Sequence, residues 1–380
     1  MQHPINILER YWNFTEFKPL QEEIINAVIE GEDTFALLPT GGGKSICFQI
    51  PALAQEGICI VISPLIALMK DQVQKLQEQG IKAMALTSGI PPQQLDTLLD
   101  NCIYGNYKFL YLSPERLQQE LVQERIRQMN VNLIAVDEAH CISHWGNDFR
   151  PAYKNINILR QLQPGINVVA LTASATPKVV QDIIKELDFI KPKIFKQSFS
   201  RPNLAYLVLH EDDKYYRMES ILKKYTASSI IYVRNRKLTL EISSFLESKG
   251  ITATYYHGGL SNTDKDRFMQ QWLHDQKQVM VATNAFGMGI DKPDVKTIIH
   301  FNLPESLESY FQEAGRAGRN GEKAFAVILK NKGDEISVKN QFLSVLPTVD
   351  FIKQVYRKLC SYFQISYGEG EFTTHDFDFN

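Results

Sequence analysis

Seven consecutive residues carry the first recognisable chemistry: Pro39-Thr40-Gly41-Gly42-Gly43-Lys44-Ser45. Three glycines let backbone N–H groups turn toward a single anion, and a helix starting directly behind them adds the positive end of its dipole. Lys44 then reaches the β- and γ-phosphates of a nucleoside triphosphate, and the Ser45 hydroxyl takes one position on Mg²⁺. The strict pattern asks for glycine at position 38, where Leu38 stands, but the Gly-Lys-Ser core is intact. Asp137-Glu138 is the second feature. Asp137 suits holding Mg²⁺ through a water, and Glu138 suits positioning and deprotonating an attacking water. A salt-bridged acidic pair at a strand end is the plainer alternative; its place after Gly-Lys-Ser favours catalysis.

Further along, Gln312-Glu313-Ala314-Gly315-Arg316-Ala317-Gly318-Arg319 places two arginines at i, i+3, which predicts one helical face. Phosphoryl transfer needs added positive charge at the γ-phosphate, and a planar guanidinium supplies it. Two solvent arginines are the alternative. The interleaved glycines, and the lack of a second phosphate loop in that half, argue against it. Phe14, Lys18 and Gln21 precede the phosphate loop. A purine could stack on Phe14 and read its edge against the Gln21 amide, or Phe14 could be core with Lys18 and Gln21 solvated; spacing alone leaves these even. In the stretch Ala282 to Asp291, Thr283 could meet a nucleic-acid phosphate and Asp291 a ribose hydroxyl.

The elements that must position these groups are legible as β/α alternation. Strands are expected at 34–38, 58–63, 109–113, 131–136 and 167–171, with helices at 46–55 and 64–79 and another opening at Pro114. The N-terminal 1–31 reads as helical, with Pro19 opening an amphipathic helix. After a linker at 198–203 a second alternation follows, with strands at 229–233, 252–256, 278–282, 297–301 and 324–329, then a helix from Thr348. Near-continuous apolar strands between helices imply parallel sheets covered on both faces, with ligands at the carboxyl ends of the strands. The phosphate loop, Asp137-Glu138 and the Ser174 segment all fall at such ends.

At 380 residues, two domains and a remainder are the natural division: 1–200, 201–340, and a partial helical segment at 341–380. The apolar fraction of 44% and charged fraction of 22% are those of a globular protein. A net charge of −2 gives no bulk attraction to nucleic acid, so any polyanion must be met by a local basic surface. No stretch has the length of a membrane span, and no signal core is seen. The five cysteines are scattered and form no Cys-x-x-Cys pair, so neither a disulfide framework nor a zinc cluster is indicated, and a reducing cytoplasmic location is the default expectation.

The ordered blocks PTGGGKS, SPLIALMKDQV, YLSPERL, VDEAHCISHWGNDFRPAY, LTASAT, VATNAFGMGIDKPDV and SYFQEAGRAGRNG resemble the RecQ family of superfamily 2 DNA helicases over about residues 10 to 325. The segment His140 to Tyr153 is the most specific part. The resemblance implies an α/β fold of two RecA-like parallel-sheet domains with an ATP cleft between them. It implies catalytic roles for Lys44, Asp137, Glu138, Gln312, Arg316 and Arg319, the last as the arginine finger. It implies nucleotide contacts for Phe14, Lys18, Gln21, Thr40, Gly41, Gly42, Gly43, Lys44, Ser45 and Asp291, with Mg²⁺ at Ser45 and Asp137. DNA contact or coupling falls to His140, His144, Trp145, Asp148, Phe149, Arg150, Ser174 and Thr283. The implied activity is ATP-driven 3′ to 5′ movement on single-stranded DNA and unwinding of tailed duplexes, by a nucleoid-associated monomer. An RNA helicase and an ATP-switched DNA clamp are the alternatives. The family's four-cysteine zinc module is not recognisable here. Only Cys360 falls in that region, so no zinc is expected.

Overall fold

The computed structural model of the chain describes residues 2–87, 89–143, 150–287, 292–340 and 347–363. Seven parallel strands form the first sheet: β1 (Thr34–Leu37), β2 (Ile58–Ile62), β3 (Ala83–Leu86), β4 (Phe109–Leu112), β5 (Val131–Val136), β6 (Val168–Thr172) and β7 (Lys193–Lys196). Their order is β3-β4-β2-β5-β6-β1-β7. Side chains alternate across the sheet with period two. Ile58, Ile60 and Ile62 enter one core, and Cys59 and Val61 enter the core on the opposite face. All five are buried, which is why the run reads as continuously apolar.

The second sheet is also wholly parallel. It contains β8 (Leu204–His210), β9 (Ser229–Tyr232), β10 (Ala253–Tyr256), β11 (Val279–Ala282), β12 (Thr297–His300) and β13 (Ala324–Lys330), in the order β10-β11-β9-β12-β13-β8. Its core repeats the two-faced pattern, with Ile231, Val281 and Ile299 on one side and Ile230, Met280 and Ile298 on the other. Two parallel-sheet α/β units of this kind are the RecA-like architecture expected above.

Three strands were not foreseen. β3 is built from Ala-Met-Ala-Leu, residues of weak strand preference. β7 (Lys-Ile-Phe-Lys) and β8 are sheet edges with much of their surface in solvent, so neither shows the buried run used to find the others. At the N-terminus, two helices, Pro4–Trp12 and Gln21–Ile29, pack on the helix Ile46–Ala54 that follows the phosphate loop. The second starts at Gln21, not at Pro19, because Leu20 sits at φ 66, a left-handed conformation that cannot be part of a right-handed helix.

The arginine pair is also placed differently from the helical reading. The helix Leu307–Ala314 ends before Arg316, and residues 315–320 form consecutive turns. From Arg316 the backbone bonds shorten to i→i−3, and Gly318, at φ 62, turns the chain away, with a Cβ there meeting Ala324 Cβ at 2.8 Å and the Glu322 carbonyl at 2.9 Å. Among the described residues no helix is long and apolar enough to cross a membrane.

Candidate active site

β5, β6 and β1 are adjacent, so their carboxyl ends deliver Asp137-Glu138, Thr172 to Ser174 and the phosphate loop side by side. The loop turns through Gly41 at φ 78 and Gly43 at φ 73. The N–H groups of Gly43, Lys44 and Ser45 make no hydrogen bond among the described residues, and the Ser45 side chain makes no capping bond. Three unbonded N–H donors at a helix N-terminus, a lysine and a hydroxyl without a capping bond are a donor set suited to a triphosphate and its cation.

Asp137 is 5% exposed, and its Oδ1 accepts the Glu138 N–H at 2.9 Å. Burial, then the neighbouring Glu138 charge, pushes its carboxyl up to about 6, with Lys44 opposing. Gln72 Nε2 approaches Asp137 Oδ2 at 3.5 Å, while Gln72 Oε1 accepts from the buried Tyr111 hydroxyl at 2.9 Å. Gln49 donates to that hydroxyl at 3.3 Å. Tyr153 holds the Asp137 carbonyl at 3.1 Å. Gln72, Tyr111 and Gln49 were not singled out in the sequence. Gln72 lies within SPLIALMKDQV, but only the folded sheet puts it beside Asp137.

Glu138 occupies a left-handed backbone position, φ 48 and ψ 46, uncommon for a residue with a side chain. Its Oε2 is buried without a hydrogen bond, 3.4 Å from His140 Nδ1. That nitrogen is bonded instead to Thr172 Oγ1 at 2.8 Å, and the Thr172 hydroxyl also receives the Ser174 N–H at 3.2 Å. His140 is 3% exposed, so it sits where it can link the acidic pair to β6, not where it could touch a strand of DNA. Arg150 donates to the Pro64 carbonyl at 2.7 Å, tying its segment to the start of the helix Ile66–Glu78.

The second domain closes the site. Gln312 Nε2 donates to Ser174 Oγ at 2.8 Å. A Cβ on Gly315 would collide with Thr40 Oγ1, so this glycine permits the helix end to lie directly on the phosphate loop. A Cβ on Gly41 would stand 3.2 Å from Arg319 Cγ. Arg316 is 7% exposed, with its Nε buried and unbonded among the described residues. The result is a cavity of about 510 Å³ walled by Gly43, Lys44, Asp137 and Glu138 from one domain and by Arg316 and Arg319 from the other.

Phe14 lines the same cavity and is 56% exposed, available for stacking. Gln21 and Lys18 are engaged with the loop itself. Gln21 Nε2 donates to the carbonyls of Gly42 at 3.3 Å and Gly43 at 3.0 Å, and Lys18 Nζ donates to Gly41 at 2.9 Å. Gln21 is thus buried at 3% exposure and not solvated. Thr283 follows β11 and is 6% exposed. His144, Trp145, Asp148, Phe149 and Asp291 lie outside the described residues. All five cysteines are buried and free.

Residues 18–183 match the DEAD/DEAH box helicase family, and residues 213–321 match the helicase conserved C-terminal domain. The chain is 42% identical over 332 residues to a probable ATP-dependent DNA helicase RecS of Bacillus subtilis, covering 86% of this chain and 66% of that protein. It is 43% identical over 332 residues to the ATP-dependent DNA helicase RecQ of the same organism, covering 87% and 56%. In three dimensions it is similar to Mycobacterium smegmatis helicase Lhr bound to ssDNA and AMP-PNP, with TM-score 0.70 at 20% identity over 89% of this chain and 50% of that one. The chain belongs to the RecQ family of superfamily 2 helicases. It spans between half and two thirds of the length of these curated relatives.

Proposed function

We propose that this chain is the ATP-hydrolysing motor of a RecQ-type DNA helicase, moving 3′ to 5′ on single-stranded DNA and separating tailed duplexes. The observation that carries the reading is the shared cavity, in which a phosphate loop from one domain faces two arginines from the other. Neither domain owns a complete site, so hydrolysis requires closure and closure can be converted into movement.

In this reading residues 1–200 and 201–340 are the two motor domains, and 341–380 starts a further helical segment. Phe14 stacks on the base, while Lys18 and Gln21 set the loop carbonyls so that the loop N–H groups point at phosphate. Lys44 holds the β- and γ-phosphates. Ser45 and Asp137 would hold Mg²⁺, which would supply charge neutralisation at the phosphates. Glu138 orients and deprotonates the attacking water, and its buried Oε2, which makes no hydrogen bond and has His140 Nδ1 3.4 Å away, supports that role. Arg316 and Arg319 stabilise charge developing on the γ-phosphate. The chain Gln312–Ser174–Thr172–His140–Glu138 joins the two domains to the acidic pair. Trp145 and Phe149, with Arg150, His144 and Asp148 beside them, form the DNA-sensing segment, where an aromatic stack on a base is communicated to Glu138. Thr283 and Asp291 serve the second domain's side. The relatives' names describe ATP-dependent DNA helicases, and both support the choice of DNA over RNA.

The test pairs an ATPase assay, with and without single-stranded DNA, with unwinding of a 3′-tailed duplex. Lys44→Ala is expected to abolish turnover with the fold intact. Near-normal turnover in that variant would sink the proposal. DNA-stimulated ATPase without strand separation would leave the clamp reading in its place.

A further inference from the structure

The segment joining the two domains carries an arginine that faces neither nucleotide nor solvent alone. Arg201 lies between β7 and β8, and its guanidinium reaches the turn that bears Arg316 and Arg319. Nη1 donates to the Gly315 carbonyl at 3.3 Å, and Nη2 donates to the carbonyls of Ala317 at 3.0 Å and Gly318 at 2.6 Å. Its Nε is held by Asn203 Oδ1 at 3.3 Å. Asn203 adds its own amide to the Gly318 and Glu322 carbonyls, both at 2.8 Å. The Gly315, Ala317 and Gly318 carbonyls lie just beyond the helix Leu307–Ala314, where carbonyls lack intrahelical partners and the dipole end is negative. A planar fork with several fixed donors suits the task; an ammonium on a flexible stem does not.

Two further contacts anchor this linker on both sides of the cleft. Phe199 packs on the core of the first domain and meets Phe311 edge-to-face at 5.7 Å. Arg201 shares a seam with Thr40, Ala173, Gln312 and Gly315. Within the turn the backbone bonds are short-range, Arg316 N–H to the Glu313 carbonyl, Ala317 N–H to the Ala314 carbonyl and Gly321 N–H to the Gly318 carbonyl, each at 3.2 Å, which leaves the Gly315 and Ala317 carbonyls to an outside partner.

We propose that Arg201 is a positioning residue for ATP hydrolysis, fixing through the carbonyls of Gly315, Ala317 and Gly318 the turn from which Arg316 and Arg319 reach the phosphate. The linker is then a strut that references the arginine turn to both domains. This rests on the reading of the cavity as an ATPase site.

Arg201→Ala is expected to lower kcat of the DNA-stimulated ATPase by at least about 10-fold, with KM for ATP and the affinity for a fluorescent ATP analogue within about twofold of the parent. Arg201→Lys, which keeps the charge but not the fork, is expected to recover only part of the loss. The double variant with Arg319→Ala is expected to be no slower than Arg319→Ala alone, because Arg201 acts through the arginine turn. Should Arg201→Ala not fold, Arg201→Lys and Asn203→Ala carry the same kcat-against-KM comparison. A raised KM with unchanged kcat, or additive losses in the double variant, would overturn the proposal. If Arg319→Ala itself turned over normally, the active-site reading beneath it would fall. A slow Arg319→Ala beside a normal Arg201→Ala would remove the strut alone.

Discussion

Gly41→Ala puts the closeness of the two domains at the phosphate loop under direct test. Gly41 sits at φ 78, where a side chain costs about 1–2 kcal/mol. Reduced freedom of the unfolded chain returns roughly 0.4–1 kcal/mol of that, leaving a net loss of about 1 kcal/mol in stability. The new Cβ would also stand 3.2 Å from Arg319 Cγ, so Arg319 must shift by a few tenths of an ångström or the cleft must open. An arginine finger is worth about 10³ to 10⁵ in rate, so partial displacement should cost on the order of 10-fold or more in kcat, equivalent to about 1.4 kcal/mol. Gly31→Ala supplies the control. Its φ is 83, and no atom lies within 4 Å of the added carbon, so it carries the backbone strain without the cross-cleft contact. Thermal melts and steady-state ATPase on both variants are expected to show similar losses of stability but a kcat loss in Gly41→Ala alone. Placed in an Arg319→Ala background, Gly41→Ala should lose little further activity. Equal activity in the two glycine variants, or a full additional loss in the Arg319→Ala background, would refute the reasoning.

Gln312→Ala removes the 2.8 Å donor to Ser174 Oγ that crosses the cleft. The expected result is weaker DNA stimulation of ATPase, with ATP affinity measured by equilibrium titration nearly unchanged. Asp137 gives a pH signature in the metal-free protein. Its carboxyl is raised from 3.8 to about 6, so the stability it contributes is fully present below about pH 4 and is lost as pH rises through 6. Asp137→Asn, compared with the parent by denaturant melts in EDTA, should therefore gain in relative stability by about 1.4 kcal/mol between pH 5 and 8, the upper half of the roughly 3 kcal/mol carried by the whole rise from 3.8 to about 6. A difference independent of pH would contradict the buried, like-charged environment.

Short-range chemistry was readable without a structure wherever one segment holds both the reactive group and its positioning element. Thr34 to Ser45 shows this: a buried strand, glycines, Lys-Ser and a helix are contiguous, so local backbone preference already shapes the anion cradle. The same holds for β5 and Asp137-Glu138. What the sequence could not decide are relations between segments far apart in the chain. It placed Arg316 and Arg319 on a helix; tertiary contacts around Gly318 instead put them on a turn. It left Gln21 between base recognition and solvent, and the fold has it bonding the phosphate-loop carbonyls. Nothing local marks Gln72 as a neighbour of Asp137, or Arg201 as the partner of the Gly315, Ala317 and Gly318 carbonyls. The physical reason is common to all of these. A strand or helix is specified by side chains a few residues apart, whereas a donor meets its acceptor across the cleft only after both sheets have formed and packed.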